Sequence, residues 1–446
     1  MKPAAIIFVD VDDTEYTCYR YREPHFLAAR KRGLACLTVA KKGRRHLKRL
    51  YADSDDLFLV ERLDEESLLN VVEKVSKEYR LAAVFSYAGQ ATPDGQIGMT
   101  VANVCRSLGL HHSSPEGINA CNDKFVMRRR LDEHAIPSVS YVLCQNEAEL
   151  IAGGLKIGYP LIAKPRFGAR SAFIKKCKTE AELLEHYRVY QLGFDRSLSA
   201  SSFGGCNSGS KKNIPGTTIL LEEWIDGVEG TVECVVTENA VHPLIINEKL
   251  LMTDRSHTIL ENLLITPPES FSSVQEKIIR DYACQCIEAL GLNRAIAHVE
   301  FKMTHKGPRL IEVNPRLGGL YVDSAFTDIA GLCPWETYLD LLLNKTCLAT
   351  RLELAEKRVR NASKRYSMMA FYPNSSGIFK GFAGLNVVES SAKILEFDHF
   401  PLGSTVCSET EEYYLLKCWT EVNSCTEAKA FYQTLSRNIN PIIEQA

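Results

Sequence analysis

The stretch Ala295–Asn314, AIAHVEFKMTHKGPRLIEVN, constrains the fold more than any other part of the chain. Two strand-like runs flank Thr304–Pro308, where Lys306, Gly307 and Pro308 signal a turn. The pattern predicts a β-hairpin with a loop of about five residues. With Lys306 at the centre of the turn, Glu300 lies opposite Glu312 and His298 opposite Asn314. Strand side chains alternate between faces, so these four share one face, while Val299, Phe301, Leu310, Ile311 near the turn, and Val313 form the other. Directly opposed residues stand about 4.5–5.5 Å apart. Two carboxylates at that distance need a shared proton, a basic partner or a divalent cation. Two carboxylates and an amide suit a hard cation such as Mg²⁺, which also recruits phosphate oxygens. A solvated polar strand face is the plainer alternative. The run continues into Asn314-Pro315-Arg316-Leu317-Gly318-Gly319, where paired glycines free backbone N–H groups for an anion and Arg316 can hold a carboxylate or phosphate.

The rest of the chain sets the frame. At 446 residues it is long enough for two or three domains. The 53 Lys+Arg and 55 Asp+Glu leave a net charge of −2, which argues against a nucleic-acid-binding protein. The sequence carries no apolar run long enough for a membrane span, and the three aspartates Asp10, Asp12 and Asp13 after Ala4–Val9 do not fit a signal peptide. Fifteen cysteines without a CxxC pair read as free thiols in a reducing cytoplasm, not as a disulfide scaffold or zinc site.

Strands at Ala4–Val9, Leu34–Val39, Leu57–Val60 and Leu81–Tyr87 alternate with helical patterns over Phe26–Lys31, Ser67–Tyr79 and Gly98–Leu108. This rhythm predicts a doubly wound α/β unit with a parallel sheet over about residues 1–115. A second unit, 116–350, has a helix from Lys124 to His134, strands at Tyr159–Lys164, Thr217–Glu222 and Gly230–Val236, and a helix over Lys277–Leu290. The Ser/Gly/Asn-rich 193–216 stretch reads as a mobile loop. From about Arg351 to residue 446, short strands alternate with turn signals before a last helix near Thr426–Ser436, predicting a β-rich C-terminal part. Lys164 ends an apolar strand and precedes the small-residue loop Pro165–Ser171, a plausible phosphate clamp. No Walker-A or GxGxxG pattern occurs.

Together these pieces resemble the ATP-grasp ligase superfamily, most specifically through His298-Val-Glu300, Gly307-Pro-Arg-Leu-Ile-Glu312-Val-Asn314 and Pro315-Arg316-Leu-Gly318-Gly319. The resemblance implies an ATP-grasp fold, in which ATP sits between two α+β subdomains and Mg²⁺ (or Mn²⁺) bridges its phosphates. The small lobe would span about 140–226. It implies that Lys124, in Asn122-Asp123-Lys124, and Lys164 contact phosphate, and that Gly168–Ser171 close over it. Glu222, Glu223, Trp224 and Ile225 would form the adenine hinge, and Glu229 would bind ribose hydroxyls. Glu300, Glu312 and Asn314 match the metal set, with Asn314 also near nucleotide. Arg316 matches the arginine that stabilises the charged intermediate, Lys249 a further active-site lysine, and His298 a residue touching substrate or phosphate. Gly318 and Gly319 would cradle a substrate anion, with Leu320 and Tyr321 walling the acceptor pocket. A satisfied structural histidine is the other reading of His298.

Within the superfamily, the order of segments most resembles amino-acid ligases that make dipeptides. That implies a cytoplasmic enzyme phosphorylating a carboxylate and joining it to an amine, with small-molecule substrates, no nucleic acid or membrane partner, and a homodimer as an open expectation. A ligase or carboxylase acting on a non-amino-acid metabolite is the alternative. Asp10-Val-Asp12-Asp13-Thr14 also fits the DxDxT nucleophile motif of haloacid-dehalogenase-like phosphatases, with Asp10 as nucleophile and Asp12 as acid/base.

Overall fold

The computed structural model describes residues 2–10, 22–43, 52–86, 95–168, 170–194 and 218–445. The first unit is a parallel sheet. Strands β1 (Ala4–Asp10), β2 (Ala35–Lys41), β3 (Asp56–Val60) and β4 (Arg80–Phe85) stand in the order β3-β2-β1-β4. Helices α1 (Glu23–Arg30), α2 (Glu65–Glu78) and α3 (Gly95–Ser107) link them or cover their faces. Helix α2 begins where Asp64 accepts from the Ser67 N–H, and it buries Leu68, Val71, Val72 and Val75. Asp10 is buried at the end of β1, but Asp12, Asp13 and Thr14 lie outside the described residues, as do most of the 88–95 and 193–216 loops.

Helices α4 (Pro115–Asn122) and α5 (Lys124–Glu133) lead into a four-stranded sheet. Its strands are β5 (Tyr141–Cys144), β6 (Leu161–Pro165), β7 (Lys175–Cys177) and β8 (Ile219–Glu223), in the order β5-β8-β6-β7. Helices α6 (Glu147–Ile157) and α7 (Glu180–Gly193) help close its core around Leu150, Leu161, Leu183 and Tyr190.

The largest sheet has eight strands. It contains β9 (Val228–Val236), β10 (Val241–Asp254), β11 (Ile259–Thr266), β12 (Ala295–Thr304), β13 (Gly307–Asn314), β14 (Arg365–Phe371), β16 (Ile394–His399) and β18 (Leu416–Val422), in the order β13-β12-β9-β10-β11-β14-β18-β16. A small third sheet holds β15 (Gly377–Ala383), β17 (Thr405–Val406) and β19 (Asn440–Glu444). The C-terminal strands therefore do not form a wholly separate layer. Pairing of β11 with β14, Leu263 against Met369, extends the sheet that carries the hairpin. The β-rich character also starts later than Arg351, because helix Cys347–Arg360 continues through that point.

One face of the β12–β13 end packs on helix α8 (Ser273–Leu290) through Val232, Cys234, Val299, Phe301 and Val313 against Ile279, Ala283, Cys286 and Ile287. A capping box at Ser272 and Gln275 starts α8, and left-handed Gly291 ends it. With the apolar face covered, the polar face of the same strands points the other way. Among the described residues, no helix is long and apolar enough to cross a membrane.

Candidate functional site

The hairpin forms with Glu300 paired to Glu312 and His298 to Asn314. Its turn is shorter than the sequence suggested. Thr304 pairs with Gly307, which leaves His305 and Lys306 as a two-residue loop, and Gly307 takes a positive φ of 95°. A bulge at Ile311 absorbs the difference, since Glu300 faces Glu312 while Phe301 faces Leu310. A buried side chain from α5 holds the carbonyls at the bulge. Arg128 donates to the carbonyls of Leu310 and Ile311, each at 2.8 Å, and to both oxygens of Glu222, at 2.7 and 3.1 Å. One guanidinium thus ties a helix, β8 and the hairpin together.

Period two carries the polar face across neighbouring strands. Glu229, Thr231 and Glu233 alternate on β9, paired respectively with Lys302, Glu300 and His298 on β12. Asn247 on β10 pairs with Thr231, and Lys249 follows two residues later. Lys249 Nζ lies 2.8 Å from Glu229 Oε1 and 2.9 Å from Glu300 Oε2, and it also pairs with Glu261. Glu229, Glu261 and Glu300 are close enough to hold a cation, and the cation among them is the Lys249 ammonium. Burial disfavours that charge, but the three carboxylates outweigh it and hold the ammonium well above the ordinary lysine range. Lys302 takes the second oxygen of Glu229 at 3.3 Å. Burial would raise the Glu229 carboxyl, yet the two lysines hold it below the usual range.

Lys124 and Lys164 approach from the other elements. Lys124 opens α5 beside Asp123, which caps the helix through the N–H groups of Phe125 and Val126 and takes a bidentate hold from Arg166 at 2.8 and 2.6 Å. Lys124 Nζ reaches Glu312 Oε2 at 3.0 Å and the Gly168 carbonyl at 3.1 Å. In the β6–β8 pair Ile162 faces Glu222, so Lys164, two residues on, shares that face and meets Glu222 Oε2 at 2.7 Å. Burial works against ionisation of Glu312, but Lys124 and Lys164 win and depress it strongly. Across the strand, burial and then the neighbouring carboxylates push Glu300 upward against Lys249. Burial pulls the Lys164 ammonium down in spite of Glu222.

His298 Nδ1 stands 2.6 Å from Glu233 Oε1, which also accepts from Thr231 at 3.0 Å and Asn247 at 3.2 Å. Burial opposes a charged imidazole, but Glu233 and Glu300 hold it above its ordinary value. The other ring nitrogen stands 3.7 Å from Glu300 Oε1. Asn314 donates to Glu312 at 2.8 Å. Gly318 lies against the His298 ring, where an added Cβ would come within 2.6 Å of Nδ1. Gly319 opens toward Tyr414. The Arg316 guanidinium donates to the Leu317 carbonyl at 2.9 Å.

Glu223 ends β8, and Trp224 and Ile225 follow it half-buried. Lys176 and Lys302 sit over the Trp224 ring at 3.6 and 4.4 Å. Ser171 belongs to a loop with positive φ at Arg170, Ser171 and Phe173, and its carbonyl accepts from Thr258 at 2.9 Å. Leu320 and Tyr321 do not line an open wall. Leu320 has a φ of 54° and packs with fully buried Tyr321 in the main apolar core.

Sequence reasoning missed Arg128, Glu261, Glu412 and Tyr414 as neighbours of this site. Arg128 had a signal, because it stands one helical turn after Lys124. Glu233 lay within the predicted strand Gly230–Val236, and the structure sets it directly across from His298.

Residues 157–324 match the ATP-grasp domain family. The chain carries an ATP-grasp domain. Among curated relatives, the chain is 28% identical over 260 residues to the uncharacterized protein y4rH of Sinorhizobium fredii, covering 58% of this chain and 49% of that protein. It is 27% identical over 308 residues to carnosine synthase 1 of Mus musculus, covering 66% of this chain and 34% of that protein. The chain thus spans about half or less of the length of these relatives. Its fold matches the crystal structure of an L-amino acid ligase from Bacillus licheniformis with a TM-score of 0.76 at 19% identity, over 100% of both chains. The ATP-grasp fold that the resemblance implied is the fold observed.

Proposed function

We propose that this chain is an ATP-dependent carboxylate–amine ligase acting on small molecules, with an amino acid as the carboxylate. The observation that carries this reading is the partly buried Glu300–Glu312 pair, flanked by Asn314 and faced by Lys124 and Lys164 from separate elements. The similarity to carnosine synthase 1 and to the L-amino acid ligase supports the choice of substrate class.

The oxygen donors of Glu300, Glu312 and Asn314 fit Mg²⁺ or Mn²⁺, and would hold it. Such an ion, when bound, offsets phosphate charge. The chain's own residues supply the rest. Lys124 and Lys164 bind the nucleotide phosphates, which replace the carboxylates they pair with here. The loop of Gly168 and Ser171 shields them from water. Glu222 to Ile225 hold the adenine, and Glu229 the ribose. Gly318, Gly319 and Arg316 hold and orient the substrate carboxylate for attack on the γ-phosphate. Lys249 and His298 keep positive charge beside Glu300 as negative charge moves from phosphate to the acyl group. An amine then displaces phosphate from the acylphosphate, giving an amide.

The test is Glu312→Ala, with phosphate release from Mg·ATP as the assay. Turnover is expected to vanish while the circular-dichroism spectrum stays native. Full activity in the variant would overturn the assignment of this face. The similarity to the ATP-grasp domain family, carnosine synthase 1 and the L-amino acid ligase supports this reading over the phosphatase one, whose Asp12 lies outside the described residues.

A further inference from the structure

The segment before β18 brings a buried carboxylate to the double glycine. Glu412 is 4% exposed. Its Oε1 accepts from the Glu261 N–H at 3.1 Å, and its Oε2 from the Tyr414 hydroxyl at 3.2 Å; the Tyr372 hydroxyl stands 3.3 Å from Oε1 and donates at 2.7 Å to the Glu261 carbonyl. All three neighbouring groups are neutral. Among the described residues, no lysine, arginine or histidine lies within ion-pair distance of it. A buried carboxylate without a cation is costly to keep charged.

Its position is specific. The Tyr414 hydroxyl stands 3.8 Å from the place a Cβ on Gly319 would occupy. On the other side, Glu261 gives its N–H to Glu412 and its carboxylate to Lys249, which pairs with Glu300. Glu412 is therefore one residue away from both the Gly318–Gly319 backbone and the Lys249–Glu300 pair. Its own N–H donates to the Arg170 carbonyl at 3.0 Å, and Thr410 accepts from the Phe173 N–H at 2.9 Å. The same segment thus grips the loop after Gly168.

We propose that Glu412, assisted by Tyr414, binds the ammonium group of the amine acceptor and takes its proton. This rests on the ligase reading above. An arriving primary ammonium supplies the cation that Glu412 lacks, and the Tyr414 oxygen offers a second acceptor. The Glu412 carboxylate removes one N–H proton, and the freed nitrogen lone pair forms the C–N bond at the acyl carbon. The bond from that carbon to the phosphoryl oxygen breaks, and its electron pair leaves with phosphate. The second proton lost by nitrogen goes to the departing phosphate. Burial and Glu261 push the unliganded carboxyl up to about 8, which suits a proton acceptor at neutral pH.

The experiment compares two nucleophiles in the full chain and in Glu412→Gln, with Mg·ATP. One arm supplies an equimolar mixture of the standard amino acids and counts amide products by mass spectrometry. The other adds hydroxylamine, which is neutral at pH 7 and captures acylphosphate as hydroxamate without needing an ammonium site. Amide formation is expected to fall about 100-fold in the variant while hydroxamate formation holds. Tyr414→Phe, a milder change, is expected to raise the KM for amine and leave the hydroxamate rate alone. Equal loss in both arms, or loss in neither, overturns the proposal. If the unaltered chain gives no product in either arm, the ligase reading itself falls.

Discussion

Arg128→Ala isolates the interaction that holds the site's parts together. The guanidinium is 1% exposed and makes four short hydrogen bonds, two to Glu222 and two to the carbonyls of Leu310 and Ile311, and a fifth, at 3.4 Å, to the Ser138 hydroxyl. Removing it leaves Glu222 buried with Lys164 as its remaining cation. Breaking a buried pair costs about 3–5 kcal/mol. Each orphaned carbonyl adds about 1–3 kcal/mol where water cannot reach it. Lys164 offsets part of the first cost, so the expected loss is about 4 kcal/mol. Urea unfolding followed by tryptophan fluorescence measures it. Arg128→Lys should recover only part, because one ammonium cannot serve four acceptors in two directions. A loss of no more than about 0.5 kcal/mol, the range of an exposed substitution, would refute the claim that Arg128 ties these elements together.

Other substitutions test the neighbouring contacts. Gly318→Ala should cost about 1–3 kcal/mol and displace the His298 ring, since its Cβ would meet both Nδ1 and the Val322 side chain; unchanged stability and turnover would contradict that packing. His186 and His257 stack with their Nδ1 atoms 2.9 Å apart, and burial lowers both, His186 to about 3. Both take up protons less readily in the folded chain than in the unfolded one, so stability falls as pH drops below about 6.5; His186, which stays neutral, accounts for about 1.4 kcal/mol of that at pH 5.5. His257→Gln should show a smaller loss between pH 7.5 and 5.5 in urea unfolding than the unaltered chain. His298 has the opposite sign: its value is raised, so its contribution is present below the ordinary histidine value and lost as pH rises through the folded one. Glu233→Gln should flatten that alkaline decline.

The hairpin was legible because strict alternation and a Gly-Pro turn fix which residues share a face. The pairing of Glu300 with Glu312 was expected from a longer turn, and it holds because the Ile311 bulge makes up for the shorter one. The bulge was not legible, since the guanidinium that holds its carbonyls comes from about 180 residues away, on α5. For the same reason the C-terminal strands read as a unit of their own. Their place in the large sheet depends on β11 meeting β14 about a hundred residues later, which no local pattern records. Leu320 and Tyr321 looked like a pocket wall by adjacency to the glycines, but the chain turns through a left-handed residue there and buries them. Glu261 and Glu412 escaped notice because single acidic residues carry no pattern until tertiary packing brings them to Lys249 and Tyr414.

The central claim is that this face joins a carboxylate to an amine at the expense of ATP. The most direct measurement is phosphate release from Mg·ATP against single and paired amino acids, with mass spectrometry on each active mixture. The account predicts release that depends on a pair, and a product whose mass equals both partners minus water. Phosphate release that needs no amine, or a product lacking the second partner, would contradict it.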